Sequence, residues 1–301
     1  MNTKESAQTN RSPQKNVAVW SIGIFAGESL SQLKPAPGAV NPVISAKDVT
    51  DMPAAFVADP FMLRHENVWH MFFEVLHSQS KKGAIGLATS PDGLIWEYRQ
   101  IVLSEPFHLS YPYVFHLNGD YFMVPETYQA GSIRLYRADP FPHRWSLVST
   151  LMEGAWVDSS IFFFNNLWWL FTTPMASEHS TLELFSANDV MGPWSRHPMS
   201  PLVQNDRRLA RPAGRVIANG ASPVRFTQDC FPTYGMTVRA FEISHLSTSG
   251  YSEREIQPGP ILAAGKEAWR ESGMHHIDAH AADGRWIACV DGWRSEPEKQ
   301  T

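Results

Sequence analysis

Asp59, Asp158 and Glu126 are acids set among apolar neighbours, in Val57-Ala-Asp-Pro-Phe61, Trp156-Val-Asp-Ser-Ser-Ile161 and Val124-Pro-Glu-Thr127. Unpaired carboxylates are seldom placed in an interior without a task. Two of them facing one bond can serve as general base and general acid. A carboxyl beside aromatic rings gains the raised proton affinity that an acid needs. Glu74 closes a similar run, Trp69-His-Met-Phe-Phe-Glu74. The structural alternative is a turn at Asp59-Pro60, or ion pairs from Glu74 and Glu126 to arginines such as Arg134 and Arg137.

A second cluster is Gly273-Met-His-His-Ile-Asp-Ala-His280. At strand periodicity His276, Asp278 and His280 share a face and His275 takes the other. Imidazole and carboxylate can hold a divalent cation, so His276 and Asp278 are the candidate metal ligands. Three ligands on one strand span about 13 Å, too far for all to reach one ion. A hydrogen-bonded polar lining is the competing reading, and no cofactor is required. Trp156, Tyr111, Tyr113 and Tyr234, with Arg211 and Arg215, suit a carbohydrate: sugar C–H faces stack on aromatic rings, while charged groups take the hydroxyls. Together with Glu74 these are the candidate substrate-binding residues.

A repeat positions these groups. Five aromatic or apolar runs end at Glu74, Glu126, Thr173, Asp229 and Asp291, at intervals of 47 to 62 residues. Fifteen residues before each end lie Asp59, Tyr111, Asp158, Gly214 and His276. A third segment follows in three units, where Leu87, Leu135 and Leu184 each precede a tryptophan (Trp96, Trp145, Trp194) by nine or ten residues. Turn signals such as Leu117-Asn-Gly-Asp120 separate the runs. Five units of three or four short strands predict an all-β fold, a five-bladed β-propeller, with a two-sheet sandwich as competitor. The last unit is short, and Val17–Phe25 is expected to supply one of its strands and close the ring. The expected domain is 17–294, between a disordered tail at 1–16 and another at 295–301. Residues 26–50 read as a connecting arm.

Composition narrows the function classes. Of 301 residues 43% are hydrophobic and 18% charged, with 11 Trp and 17 Phe, which excludes global disorder. A net charge of −5 argues against nucleic acid as partner, since phosphate neutralisation needs a basic face. No apolar stretch is long enough for a transmembrane segment, and Met1–Asn16 lacks the apolar core of a secretory signal. With only Cys230 and Cys289, read as core residues, the expectation is a soluble, cytoplasmic protein.

Trp20-Ser-Ile-Gly-Ile24, Phe56-Val-Ala-Asp-Pro-Phe61, Pro106-Phe-His-Leu-Ser-Tyr-Pro-Tyr113, Arg211-Pro-Ala-Gly-Arg215 and His275-His-Ile-Asp278 resemble the N-terminal domain family of glucosamine inositolphosphorylceramide transferase. The resemblance covers about residues 17–294. It implies a propeller related to arabinanase- and levanase-type glycosidases, with a first-blade Asp as base or nucleophile, a second Asp that orients, a Glu acid and a central histidine. Asp59 matches the first, Asp158 the second by register, Glu126 is the candidate acid, and His276 matches the histidine. Glycosyl transfer in that family is implied for a separate C-terminal domain and is not expected here.

Two functions follow. One is a glycoside-hydrolase-like enzyme acting on a glycan or glycolipid, and the reading leans that way. The other is a non-catalytic glycan- or glycolipid-binding module beside polysaccharide or glycolipid assembly. Carboxyl separations of about 5–5.5 Å suit retention and about 6.5–9.5 Å inversion. With Asp59 and Glu126 on neighbouring blades, inversion is expected. The sugar, linkage and oligomeric state are open.

Overall fold

The computed structural model describes residues 16–218, 220–282 and 284–298. Among the described residues, twenty strands form five antiparallel sheets arranged as the blades of a propeller. The first blade is β3 (Ala54–His65), β4 (Val68–His77), β5 (Gly83–Ser90) and β6 (Glu97–Leu103). The second is β7 (Ser110–Leu117), β8 (Asp120–Glu126), β9 (Ser132–Ala138) and β10 (Trp145–Glu153). The third is β11 (Trp156–Phe164), β12 (Leu167–Pro174), β13 (Glu183–Ala187) and β14 (Ser195–Arg196). The fourth contains β15 (Val224–Asp229), β16 (Thr237–Leu246) and β17 (Tyr251–Glu255), with β18 (Leu262–Ala263) beside β16. Its inner edge is irregular: residues 211–217 pair with β15 through isolated bridges at Pro212–Thr227 and Ile217–Val224 in place of a regular ladder.

The fifth blade is composite, in the order β19 (Ile277–Ala282), β20 (Arg285–Pro297), β1 (Asn16–Gly27), β2 (Lys34–Pro35). The first strand of the chain therefore closes the ring, pairing antiparallel with β20 from Asn16↔Pro297 to Gly27↔Trp286. This pairing corrects two expectations. Asn16, Ser295, Glu296 and Pro297, placed in tails, are strand, and the expected arm includes the outermost strand, β2. Residues 1–15 and 299–301, also expected in tails, lie outside the described residues.

Local chemistry explains the blades. The inner hairpins of blades one to three turn at Glu66-Asn67, Asn118-Gly119 and Asn165-Asn166, where both central residues have positive φ. That is the turn whose twist matches a hairpin, and Asn and Gly tolerate it best. The inner strands share a further feature. Asp59, Tyr111 and Asp158 have φ of 52°, 46° and 50°, each at a register shift against the second strand. Gly214, at the equivalent point of blade four, has φ 130°, and a Cβ there would meet the Ile277 carbonyl oxygen at 1.7 Å. Left-handed conformations cost a non-glycine residue of order 1–3 kcal/mol. Three such residues at one depth mark the axis as strained.

Apolar side chains fill the spaces between blades. Phe61, Phe72, Val114 and Leu135 are in one cluster, and Ile22, Met71 and Cys289 in another. Cys230 and Cys289 are free and buried, as the core reading expects. No helix among the described residues is long and apolar enough to cross a membrane.

Candidate active site

The axis is plugged rather than open. Tyr111 and His276 are fully buried, and both meet the Phe61 ring edge-on. The Tyr111 hydroxyl accepts the Gly214 N–H and lies 2.8 Å from Ser160 Oγ. Tyr111, expected to contact substrate, is thus part of this plug and does not line the pocket described below. On the other side of this plug Arg215 lies over the Tyr113 ring and donates through Nε to Asp278 Oδ1 at 2.6 Å. Tyr113, Arg215 and Asp278 are therefore absent from the pocket described below.

A pocket of about 200 Å³ opens above the plug, where the second strands end. Asp59, Glu74 and Glu126 supply its acids; Arg211, His275 and His108 its basic groups; Trp20, Tyr234, Phe56 and Leu76 most of its apolar surface. Five candidates named from the sequence thus converge: Asp59, Glu74, Glu126, Arg211 and Tyr234. Trp156 does not join them, because its indole donates to the Glu153 carbonyl and packs edge-on against Phe185.

Asp158 lies behind the wall. Its carboxylate accepts from Arg211 Nε and Gln228 Nε2, and its backbone N–H donates to Glu126 Oε2 at 3.2 Å. Burial works against its charge, but the Arg211 guanidinium holds Asp158 below the ordinary carboxylate range. Arg211 is also 3.7 Å from Glu126 and spans the Tyr234 ring at 5.1 Å. Its Nη1 donates to His179 Nδ1 at 2.7 Å, and burial with that neighbouring cation pushes His179 down to about 4.

Asp291 occupies in blade five the place that Glu126 occupies in blade two. Its Oδ1 accepts from His275 Nδ1 at 2.8 Å and from the backbone N–H of His275 and His276, and its Oδ2 accepts the Asp59 N–H at 3.0 Å. The same clasp therefore recurs: a second-strand carboxylate receives the N–H of the left-handed aspartate on the next blade. His275, fixed by Asp291, is stacked on Trp20 at 4.0 Å and edge-on to Tyr234. Its Nε2 faces Asp59 Oδ1 at 3.7 Å. Burial opposes its charge, yet Asp291 raises its proton affinity.

The cation expected at His276 and Asp278 does not fit that pair, because Arg215 and His280 already occupy the Asp278 carboxylate. Burial lowers His276 to about 4 and keeps its ring neutral, with no hydrogen-bond partner for either nitrogen among the described residues. Asp59, His275 and Asp291 do bring ligand-type atoms within 4.8 Å of one another. Their donor chemistry argues against an ion, because Asp291 is already saturated by four N–H groups.

All three pocket acids hold their protons more tightly than usual. Burial raises Asp59 to about 7, against the pull of His275. Burial, reinforced by Asp158 at Glu126 and by Asp59 at Glu74, raises both glutamates well above their ordinary range. A stability prediction follows. Asp59 binds its proton more tightly folded than unfolded, so its contribution is full below about 4 and is lost as pH rises through about 7. Asp59→Asn, which never ionises, is expected to melt higher than wild type at pH 8. The gain should shrink towards pH 4 in thermal scans.

Sequence reasoning overlooked Trp20, His108, His275 and Asp291 as site residues. Asp291 carried a signal, since it ends the fifth run in register with Glu74 and Glu126.

Comparison with known proteins agrees with this architecture. The family model for "Glucosamine inositolphosphorylceramide transferase 1, N-terminal" matches residues 13–293. Glucosamine inositolphosphorylceramide transferase 1 of Oryza sativa subsp. japonica is 36% identical over 297 residues, covering 91% of this chain and 40% of that protein. The chain thus spans about two fifths of the length of that relative. Among solved structures, a glycoside hydrolase described as putative, from Parabacteroides distasonis, superposes with a TM-score of 0.63 at 11% identity, over 88% of this chain and 96% of that one. A Cellvibrio cellulosa α-L-arabinanase mutant gives 0.56 at 18% identity, over 82% and 92%. At such identities these two likenesses speak for the fold, whereas the family match spans nearly every residue described above: the chain belongs to the family of the glucosamine inositolphosphorylceramide transferase N-terminal domain.

Proposed function

We propose that the pocket binds a saccharide and hydrolyses a glycosidic bond with inversion. Asp59 takes a proton from water as its oxygen attacks the anomeric carbon. Glu126 gives a proton to the departing glycosidic oxygen as the old C–O bond breaks. Asp158 touches no substrate in this scheme; it positions Arg211 and Glu126. The observation that carries the reading is that Asp59 and Glu126 wall one pocket with raised proton affinities while Asp158 behind them stays ionised. A base near the working pH and an acid that keeps its proton are what this chemistry asks for. The sugar-modifying name of the relative and the arabinanase fold support a saccharide as substrate.

A second reading rests on the clasp. Glu126 Oε2 already accepts the Asp158 N–H, as Asp291 accepts that of Asp59. If clasping is its whole role, the site recognises a glycan without cleaving it. Screening a glycan array and then incubating the bound glycans with wild type and Asp59→Asn separates the two. Hydrolysis by wild type, none by Asp59→Asn and similar binding by both support the enzyme. Full activity in Asp59→Asn overturns the assignment, and binding without cleavage by either protein favours recognition.

A further inference from the structure

Glu126 and Asp291 each spend a carboxylate oxygen on a backbone N–H of the next blade. Glu74, at the equivalent position of blade one, is not used in this way: its polar neighbour is His108, with Nε2 3.5 Å from Glu74 Oε1. His108 Nδ1 accepts the Gly83 N–H at 3.0 Å, so the ring proton sits on Nε2 and faces Glu74. Gly83 leaves no latitude here. A Cβ on it would lie 2.1 Å from the Leu109 carbonyl oxygen and 3.0 Å from both Glu74 Oε1 and His108 Cε1. The His108 backbone N–H is tied in turn to Gln129 Oε1 at 2.9 Å. Glu74 is thus a buried carboxyl at the pocket wall, faced by a fixed histidine at 3.5 Å and without a hydrogen bond to another side chain among the described residues.

Next to the pocket the axis is filled by the fully buried Tyr111, Phe61 and His276 rings, which pack edge-on and leave no open channel between them. Its volume of about 200 Å³ falls below the roughly 300–1,000 Å³ of sites for drug-sized ligands. A polymer cannot thread a closed end, and the space suits one ring.

We propose that the pocket receives a single terminal sugar residue, and that Glu74, positioned by His108, reads the hydroxyls of that residue. This rests on the saccharide reading above but not on cleavage. A buried polar group built to pair with a hydroxyl discriminates strongly against ligands that lack it.

The probe is a glycan array printed with matched pairs that differ only in their terminal residue. Wild-type signals are expected to follow the terminal residue and to vanish when it is removed or O-methylated. For the strongest hit, Glu74→Gln and His108→Phe should each weaken the dissociation constant at least tenfold with melting temperatures near wild type. His108→Gln, whose amide can reach Glu74, should recover part of the loss, which a purely structural role for His108 would not produce. Equal binding of glycans that share only internal residues overturns the terminal-residue claim. Unchanged affinity in folded Glu74→Gln and His108→Phe overturns the role of the pair. If no glycan binds to wild type, the saccharide reading fails and takes this inference with it; if glycans bind but none is cleaved, only the hydrolase reading fails.

Discussion

Arg211→Met is expected to destabilise the protein by about 3–5 kcal/mol, because it leaves the Asp158 carboxylate charged and buried without its cation. Asp158 is 2% exposed, and Gln228 alone cannot replace the guanidinium. Arg211 also faces Glu126 and His179, so the loss spreads across two blades. The double variant Arg211→Met/Asp158→Asn should recover much of the loss in urea denaturation, since it removes both charges while asparagine tolerates the left-handed backbone at 158. A single variant as stable as wild type would show that Asp158 is neutral in the fold, contrary to the direction given for it.

Glu126→Gln should lower turnover of a substrate with a poor leaving group by about 10²–10⁴-fold, the usual contribution of a general acid. An aryl glycoside with an acidic phenol needs little protonation and should lose much less. The pH profile supplies an independent check. Below about 7 Asp59 is protonated and the base is lost, which sets the acidic limb. Deprotonation of Glu126 sets the alkaline limb, and Glu126→Gln should flatten that limb alone. An equal loss on both substrates, with the alkaline limb intact, would move the acid role away from Glu126.

The fold was legible because its repeat is written in side chains that pack. Aromatic second strands recur at similar spacing, and stepping back fifteen residues reached Asp59, Tyr111, Asp158 and Gly214, the positions where the backbone turns left-handed. Side-chain direction at those bulges was not legible, because a bulge breaks the alternation on which strand reasoning depends. Tyr111 therefore proved a plug, and Trp156 turned towards Phe185. His108 and His275 escaped notice for a different reason. Each acquires its place through a partner distant in sequence: Glu74 for His108, Trp20 and Asp59 for His275. Arg215, expected among the substrate-binding residues, and Asp278, expected as a metal ligand, pair with each other instead, and nothing in their spacing showed it.

The clasp between β1 and β20 also gives the pocket a timetable. Trp20 lies against His275, so a wall residue from the first strand meets a partner synthesised more than two hundred residues later. A nascent chain that has made four blades holds Asp59, Glu126 and Arg211 but has no His275 for Trp20 to brace. Ligand affinity should therefore appear in one step, when the last blade is complete, instead of growing blade by blade. Binding becomes a report on finished molecules, because a chain stalled short of His275 lacks the stacked Trp20–His275 wall of the pocket.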